Sequence, residues 1–151
     1  DEKTDLGSII DAQQNFQFIV KNYPNSDFAL DAEYKLELIN EILASKEMYL
    51  AKYYIEREKW IPAINRFKVV IKDYERTIYV EEALHRLVEL HYKIGLVDES
   101  QKYASLLGYN YQSSKWYEQT YKIFNKNYQK REIKKEKKRN SLVDRIKKLI
   151  K

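Results

Sequence analysis

The chain has 151 residues, of which 44% are hydrophobic and 34% charged, with three glycines, two prolines and no cysteine. So few turn formers exclude an all-β sandwich or barrel and collagen-like chains, and the lack of thiols excludes a disulfide framework, a thiolate zinc site and a cysteine nucleophile. The net charge of +5 is unevenly spread: residues 130–151 hold eleven Lys and Arg against Glu132, Glu136 and Asp144, a tail of +8, while the rest carries seventeen basic and twenty acidic residues.

A mildly acidic body argues against a nucleic-acid partner, which would need a basic face on the domain itself. No run of apolar residues is long enough to span a bilayer. The opening Asp1-Glu2-Lys3-Thr4-Asp5 is polar, unlike a signal peptide, and lacks an initiator Met. We expect a processed or trimmed piece of something longer.

Residues 8–22 repeat apolar positions at helical spacing (Ile9, Ala12, Phe16, Ile19, Val20). Tyr23-Pro24-Asn25-Ser26 ends that helix, and Ser26 or Asp27 can cap the next. From 27 to about 57 there is neither Gly nor Pro, and Phe28, Ala32, Leu36, Ile39, Leu43, Leu50, Tyr53 and Tyr54 form a continuing stripe. This predicts one helix of roughly 46 Å. Further helices are expected at 60–73, 78–94, 97–108 and 114–129, with short joints at Glu58-Lys59, Tyr74–Thr77, Gly95-Leu96 and Tyr109–Ser113. No segment alternates with period two, so the fold class is all-α.

These helices repeat. Ala12-x3-Phe16-x2-Ile19-x4-Pro24 recurs as Ala63-x3-Phe67-x2-Val70-x4-Glu75 and, more weakly, as Ser100-x3-Ala104-x2-Leu107-x4-Gln112. Leu50, Ala51 and Tyr54 precede Ala63 at the distances by which Leu87, Val88 and His91 precede Ser100. A small residue at a helix crossing with bulky ones beside it describes a helical hairpin whose neighbours stack in phase. The pattern resembles the tetratricopeptide repeat. The second and third copies lie 37 residues apart and the first and second 51, so fourteen extra residues lengthen the long helix. The first copy lacks a leading helix, which predicts an uncovered front face and concentration-dependent self-association.

Tyr23-Pro24-Asn25-Ser26, the overlong helix, Ala51-Lys52-Tyr53-Tyr54-Ile55-Glu56-Arg57 and Trp60-Ile61-Pro62-Ala63-Ile64-Asn65-Arg66 together resemble the BamD family. These are the tetratricopeptide lipoproteins of the bacterial outer-membrane β-barrel assembly machine. The likeness continues through Glu82-Ala83-Leu84, Gly95 and Glu99-Ser100-Gln101-Lys102. It covers about residues 8–117 and would correspond to the C-terminal half of such a protein. Glu75-Arg76 depart from the family's usual proline-led turn. The resemblance implies a non-enzymatic scaffold at the periplasmic face of the outer membrane. It would dock on a POTRA domain of the barrel subunit BamA, with other Bam lipoproteins as further partners.

Arg57 and Arg66 flank Trp60, and the resemblance makes them the contacts for an acidic patch on the POTRA domain. The planar guanidinium suits carboxylates because it donates two parallel bonds. On that view Arg66→Glu weakens POTRA binding; the alternative is two solvated arginines. His85 and His91, six residues apart, point about 240° from one another around a helix and cannot share a metal. No Gly-rich phosphate loop exists, and no cofactor is expected. Glu81-Glu82 sit at a helix start, where the dipole favours them. Tyr53, Tyr54, Tyr92, Tyr103, Tyr117 and Tyr121 are expected to wedge between helices.

The chain therefore divides into a helical repeat domain, 1–129, and a basic tail, 130–151. In the tail Leu142, Val143, Ile146, Leu149 and Ile150 form an apolar stripe opposed by Arg145, Lys147, Lys148 and Lys151. It fits a helix packed on the last repeat or on a partner, or one lying on an anionic membrane. Three other function classes stay open: a generic tetratricopeptide adaptor for a peptide or secreted protein, with a Lys/Arg clamp on its concave face; a Ser/His hydrolase; and a salt-sensitive nucleic-acid binder using the tail.

Overall fold

The computed structural model describes residues 6–125. The basic tail, with its expected amphipathic helix, lies outside them. Six helices follow in order: α1 (Leu6–Asn22), α2 (Asp27–Glu56), α3 (Trp60–Asp73), α4 (Val80–Lys93), α5 (Val97–Asn110) and α6 (Lys115–Phe124). The described residues contain no strand. Successive helices pack as hairpins and also against the next pair, which is the stepwise stacking of a tetratricopeptide-like array.

The first turn forms as its residues dictate. Ser26 Oγ accepts from the Ala29 N–H at 3.2 Å and donates to the Tyr23 carbonyl at 2.8 Å, so it closes the turn and caps α2. α2 then runs thirty residues without a break. Its buried positions are Ala29, Ala32, Ile39 and Leu43, followed by Ala44, Met48 and Ala51. Between Leu43 and Ala44 the buried stripe steps sideways by one residue, about 100° around the axis. The step marks a change of neighbour. The first half lies on α1, where Gln13 Nε2 donates to Asn40 Oδ1 at 3.1 Å. The second half lies on α3, where Arg66 pairs with Glu47. Tyr53, expected in the stripe, is 40% exposed because it keeps the angle of the first half past the step, and Phe28, in the first turn of α2, is 78% exposed although it shares the face of Ala32 and Ile39.

The core sits in the middle of the array. Ala44, Met48 and Ala51 of α2, Ala63, Ile64, Phe67 and Val70 of α3, and Ala83, Leu87 and Leu90 of α4 form one cluster. Val80 and Leu84 of α4 join Leu107 of α5 in a second. The repeat positions Ala63, Phe67 and Val70 thus reach full burial in the second copy, and Ser100 and Leu107 in the third, where Ala104 is half-buried. In the first copy Ala12, Phe16 and Ile19 are only half-buried, and α1 has no buried residue.

Helix ends deviate from expectation in two places. α4 starts at Val80 rather than 78, because the Ile78 N–H donates to Glu41 Oε1 at 3.2 Å and Thr77 Oγ1 donates to the Tyr74 carbonyl at 2.8 Å, which holds a turn there. α5 runs past Gly108 to Asn110. Gly108 serves close packing: a Cβ there would stand 2.8 Å from the Tyr117 ring. α6 begins at Lys115 behind a Ser114 cap and is described to Phe124 with Asn125 as its cap; the rest of the expected 114–129 helix lies outside the described residues.

The α2–α3 and α4–α5 joints occupy equivalent repeat positions. Gly95 has φ 84° at one, and Glu58 has φ 55° at the other. Only Gly adopts this left-handed backbone without steric cost. Glu58→Gly is therefore expected to raise stability by about 0.5–1 kcal/mol, the relieved strain exceeding the extra unfolded-state entropy. Urea denaturation checks this; an unchanged or lower midpoint refutes it.

Candidate partner-docking rim

The two joints lie side by side at one end of the array. Lys93 at the end of α4 places Nζ 3.9 Å from the centroid of the Trp60 ring at the start of α3. Around this contact the surface is unusually apolar for a turn region. Ile61 is 58% exposed and Leu96 49%, with Tyr53, Tyr92 and Val97 also exposed. Charges of both signs are interleaved: Arg57, Lys59 and Lys93 stand near Glu56, Glu58, Asp98 and Glu99.

Arg57 belongs to this rim. Its guanidinium carbon stacks 3.7 Å from the Tyr53 ring centroid, and the ring in turn meets Tyr54 edge-on. Stacking restrains the plane of the guanidinium on an exposed residue, which suits a two-pronged carboxylate contact. No carboxylate among the described residues forms a salt bridge with it.

Arg66 is placed differently. It lies six residues into α3 and pairs with Glu47 Oε2 of α2 at 3.2 Å, the two side chains 41% and 18% exposed. It also borders a hollow of about 260 Å³ lined by Tyr54, Pro62, Asn65 and Val69. The two arginines share a neighbourhood through Tyr54, but one is free to meet a partner and the other already spans a helix seam. Glu47 as a partner for Arg66 had no signal in the sequence, since nineteen residues separate them. The 37-residue spacing aligns Glu58 with Gly95 and Trp60 with Val97, so the pairing of the two joints was legible, but it sets Ile61 against Asp98 and Leu96 against Lys59 and gave no signal for those two apolar residues.

The other singled-out residues serve packing. His85 is buried, with Nε2 3.3 Å from Glu89 Oε1 and Nδ1 sharing a 2.7 Å hydrogen bond with Thr120 Oγ1. The carboxylate requires the proton on Nε2, so in the neutral ring Nδ1 accepts from the Thr120 hydroxyl. Trp116 lies beside the ring. His91 Nδ1 donates to the Leu87 carbonyl at 2.7 Å, and its ring meets Tyr103. Among the expected wedge residues, Tyr54, Tyr103 and Tyr117 pack against the cores, whereas Tyr53, Tyr92 and Tyr121 are exposed. Glu81 accepts from Ser114 as well as standing at a helix start.

Glu89 links this cluster to pH. Burial pushes its carboxyl pKa up, but hydrogen bonds from His85 and Arg86, with the adjacent positive charge, outweigh that and hold it below the ordinary 4.5. A depressed carboxyl stabilises the fold above its unfolded pKa, and that contribution disappears as pH falls through the folded value. Glu89→Gln should therefore show a shallower loss of stability on acidification below about 4.5. Denaturant midpoints across that range test it, and an unaltered slope removes Glu89 from the acid response.

A hollow of about 680 Å³ lies between the middle of α2 and the α3–α4 joint. Its lining includes Glu33, Glu37, Glu41, Asp73 and Glu75 with one Arg76, so it is not the Lys/Arg clamp of a carboxylate-binding adaptor. Among the described residues no group of His, Cys, Asp and Glu could hold a metal, and no helix is long and apolar enough to cross a membrane.

Comparison with known proteins agrees with this architecture. The YfiO family, described as outer membrane lipoprotein, matches residues 1–107. The outer membrane protein assembly factor BamD of Rickettsia prowazekii is 43% identical over 118 residues, 78% of this chain and 47% of that protein. The BamD of Caulobacter vibrioides is 39% identical over 109 residues, 72% and 36% of the two chains. That of Neisseria gonorrhoeae is 41% identical over 83 residues, 55% and 31%. The chain thus spans less than half the length of these curated relatives. A match across two thirds of its residues, on the same helices that build the repeat array, places the chain in the YfiO family of outer membrane lipoproteins, whose relatives here are BamD assembly factors.

Proposed function

We propose that this chain is a non-enzymatic scaffold of outer-membrane protein assembly, docking through its joint rim on a POTRA domain of the barrel subunit BamA. The observation that carries the reading is Arg57, exposed and stacked on Tyr53, on the same rim as the exposed Ile61 and Leu96. Apolar anchors around an oriented arginine are what a specific protein interface uses. The site of action would be the periplasmic face of the outer membrane. Membrane contact would come from a lipid anchor on the longer protein or from the basic tail, and other Bam lipoproteins could share the remaining surface. Arg66 would contribute at the edge of the same interface, through the hollow it borders with Tyr54 and Pro62.

Both histidines are committed to internal hydrogen bonds, which supports a scaffold over a Ser/His hydrolase. The acid-lined hollow weighs against an adaptor that clamps a peptide carboxylate. The test is calorimetric titration of the full chain with the periplasmic region of BamA. Saturable one-to-one binding is expected, and the absence of heat at high concentration refutes the docking.

A further inference from the structure

We propose that residues 141–150 fold back into the hollow between α5 and α6 as the return helix of the last hairpin. The argument begins with topology. α2 is followed by an antiparallel α3, and α4 by an antiparallel α5. α6 runs parallel to α4: Ser114 meets Glu81, Thr120 meets His85 and Phe124 meets Tyr92, in rising order. It is therefore a leading helix, and its return is not among the described residues.

The surface where that return would lie is an apolar hollow of about 430 Å³. Ala104 and Gly108 of α5 form its floor, Tyr117, Tyr121 and Phe124 of α6 its wall, and Asn125, the last described residue, its lip. Tyr121 and Phe124 are left 42% and 38% exposed. The chain leaves the structure at the edge of the hollow.

The occupant fits in reach and pattern. Fifteen residues, 126–140, separate the lip from the stretch and extend to about 50 Å, several times the roughly 15 Å length of α6. Leu142, Val143, Ile146, Leu149 and Ile150 present one apolar stripe, with Arg145, Lys147, Lys148 and Lys151 opposite. A helix of about ten residues is marginal in water unless that stripe is buried. The hollow offers the burial and keeps the four cations in solvent, over a body with an excess of carboxylates.

The cysteine-free full chain allows a direct test. Ser105→Cys, on the hollow, is combined with Val143→Cys, on the stripe; a second protein combines Glu33→Cys with Val143→Cys. Under dilute oxidising conditions the first pair should form an intramolecular disulfide about tenfold faster than the second, reflecting a higher effective concentration. Leu142→Asp with Ile146→Asp should remove that advantage and, in the cysteine-free chain, speed amide exchange in α6 several-fold. Equal rates for the two pairs, disulfides only between molecules, or α6 exchange untouched by the double substitution overturns the proposal. So does a stripe needed for flotation with phosphatidylglycerol vesicles but not for the disulfide, which would assign it to a membrane surface.

Discussion

Phe67→Ala is expected to lower stability by about 3–5 kcal/mol, the range for emptying a large aromatic site in a packed core. Phe67 is fully buried where α2, α3 and α4 meet, among Ala44, Met48, Ala63 and Leu87. Its neighbours are held by three helix backbones, so the cavity cannot easily collapse. In a repeat array each unit leans only on its neighbours, and total stability is on the order of 5–15 kcal/mol. Losing the middle contact should therefore split the unfolding transition. Phe16, the equivalent residue of the first copy, is only half-buried. Its truncation should cost markedly less. Urea denaturation followed by circular dichroism compares them, and equal losses would contradict the hierarchy of burial.

The second large effect concerns the two arginines. If Arg57 is desolvated against a carboxylate of the POTRA domain, Arg57→Glu should weaken that binding by about 2–5 kcal/mol with little change in the fold, since its side chain sits on the surface. Arg66→Glu is expected to weaken binding on the same scale, but it also sets two carboxylates together at the α2–α3 seam, where the native pair is partly exposed and contributes about 0.5–1 kcal/mol. The swap of Glu47→Arg with Arg66→Glu separates these effects. It rebuilds the seam with reversed polarity. If binding stays weak in the swap, Arg66 meets the partner; if binding returns, Arg66 acts only by holding α3 in place. Titration with the BamA periplasmic region reads both variants.

How much was legible beforehand depended on distance along the chain. Turn chemistry is local, so Ser26 and the ends of α2 were visible in consecutive residues, as were the second and third repeat copies, whose small residues Ala63 and Ser100 mark fully buried crossings. The resemblance to the BamD family, drawn from the same residues, agrees with the family match. Contacts between distant residues were not legible. Glu41 capping the turn before α4, Glu47 meeting Arg66 and Thr120 meeting His85 depend on helix rotations that only packing determines. The exposure of Tyr53 has the same origin: one continuous stripe does not describe a helix that turns from α1 to α3 along its length.

The length of α2 has a geometric consequence of its own. Each residue added to a helix advances it about 1.5 Å and turns it about 100°. The fourteen extra residues between the first two repeat copies amount to about 21 Å of travel but fall only about 40° short of four whole revolutions. The front hairpin is thus pushed away from the rest while still looking in nearly the same direction. A single inserted or deleted residue would instead swing it through more than a quarter circle. The shaft between them works as a spacer whose permitted lengths come in whole-turn steps, so shortening or lengthening it by complete turns should preserve the aim of the rim while resetting its reach.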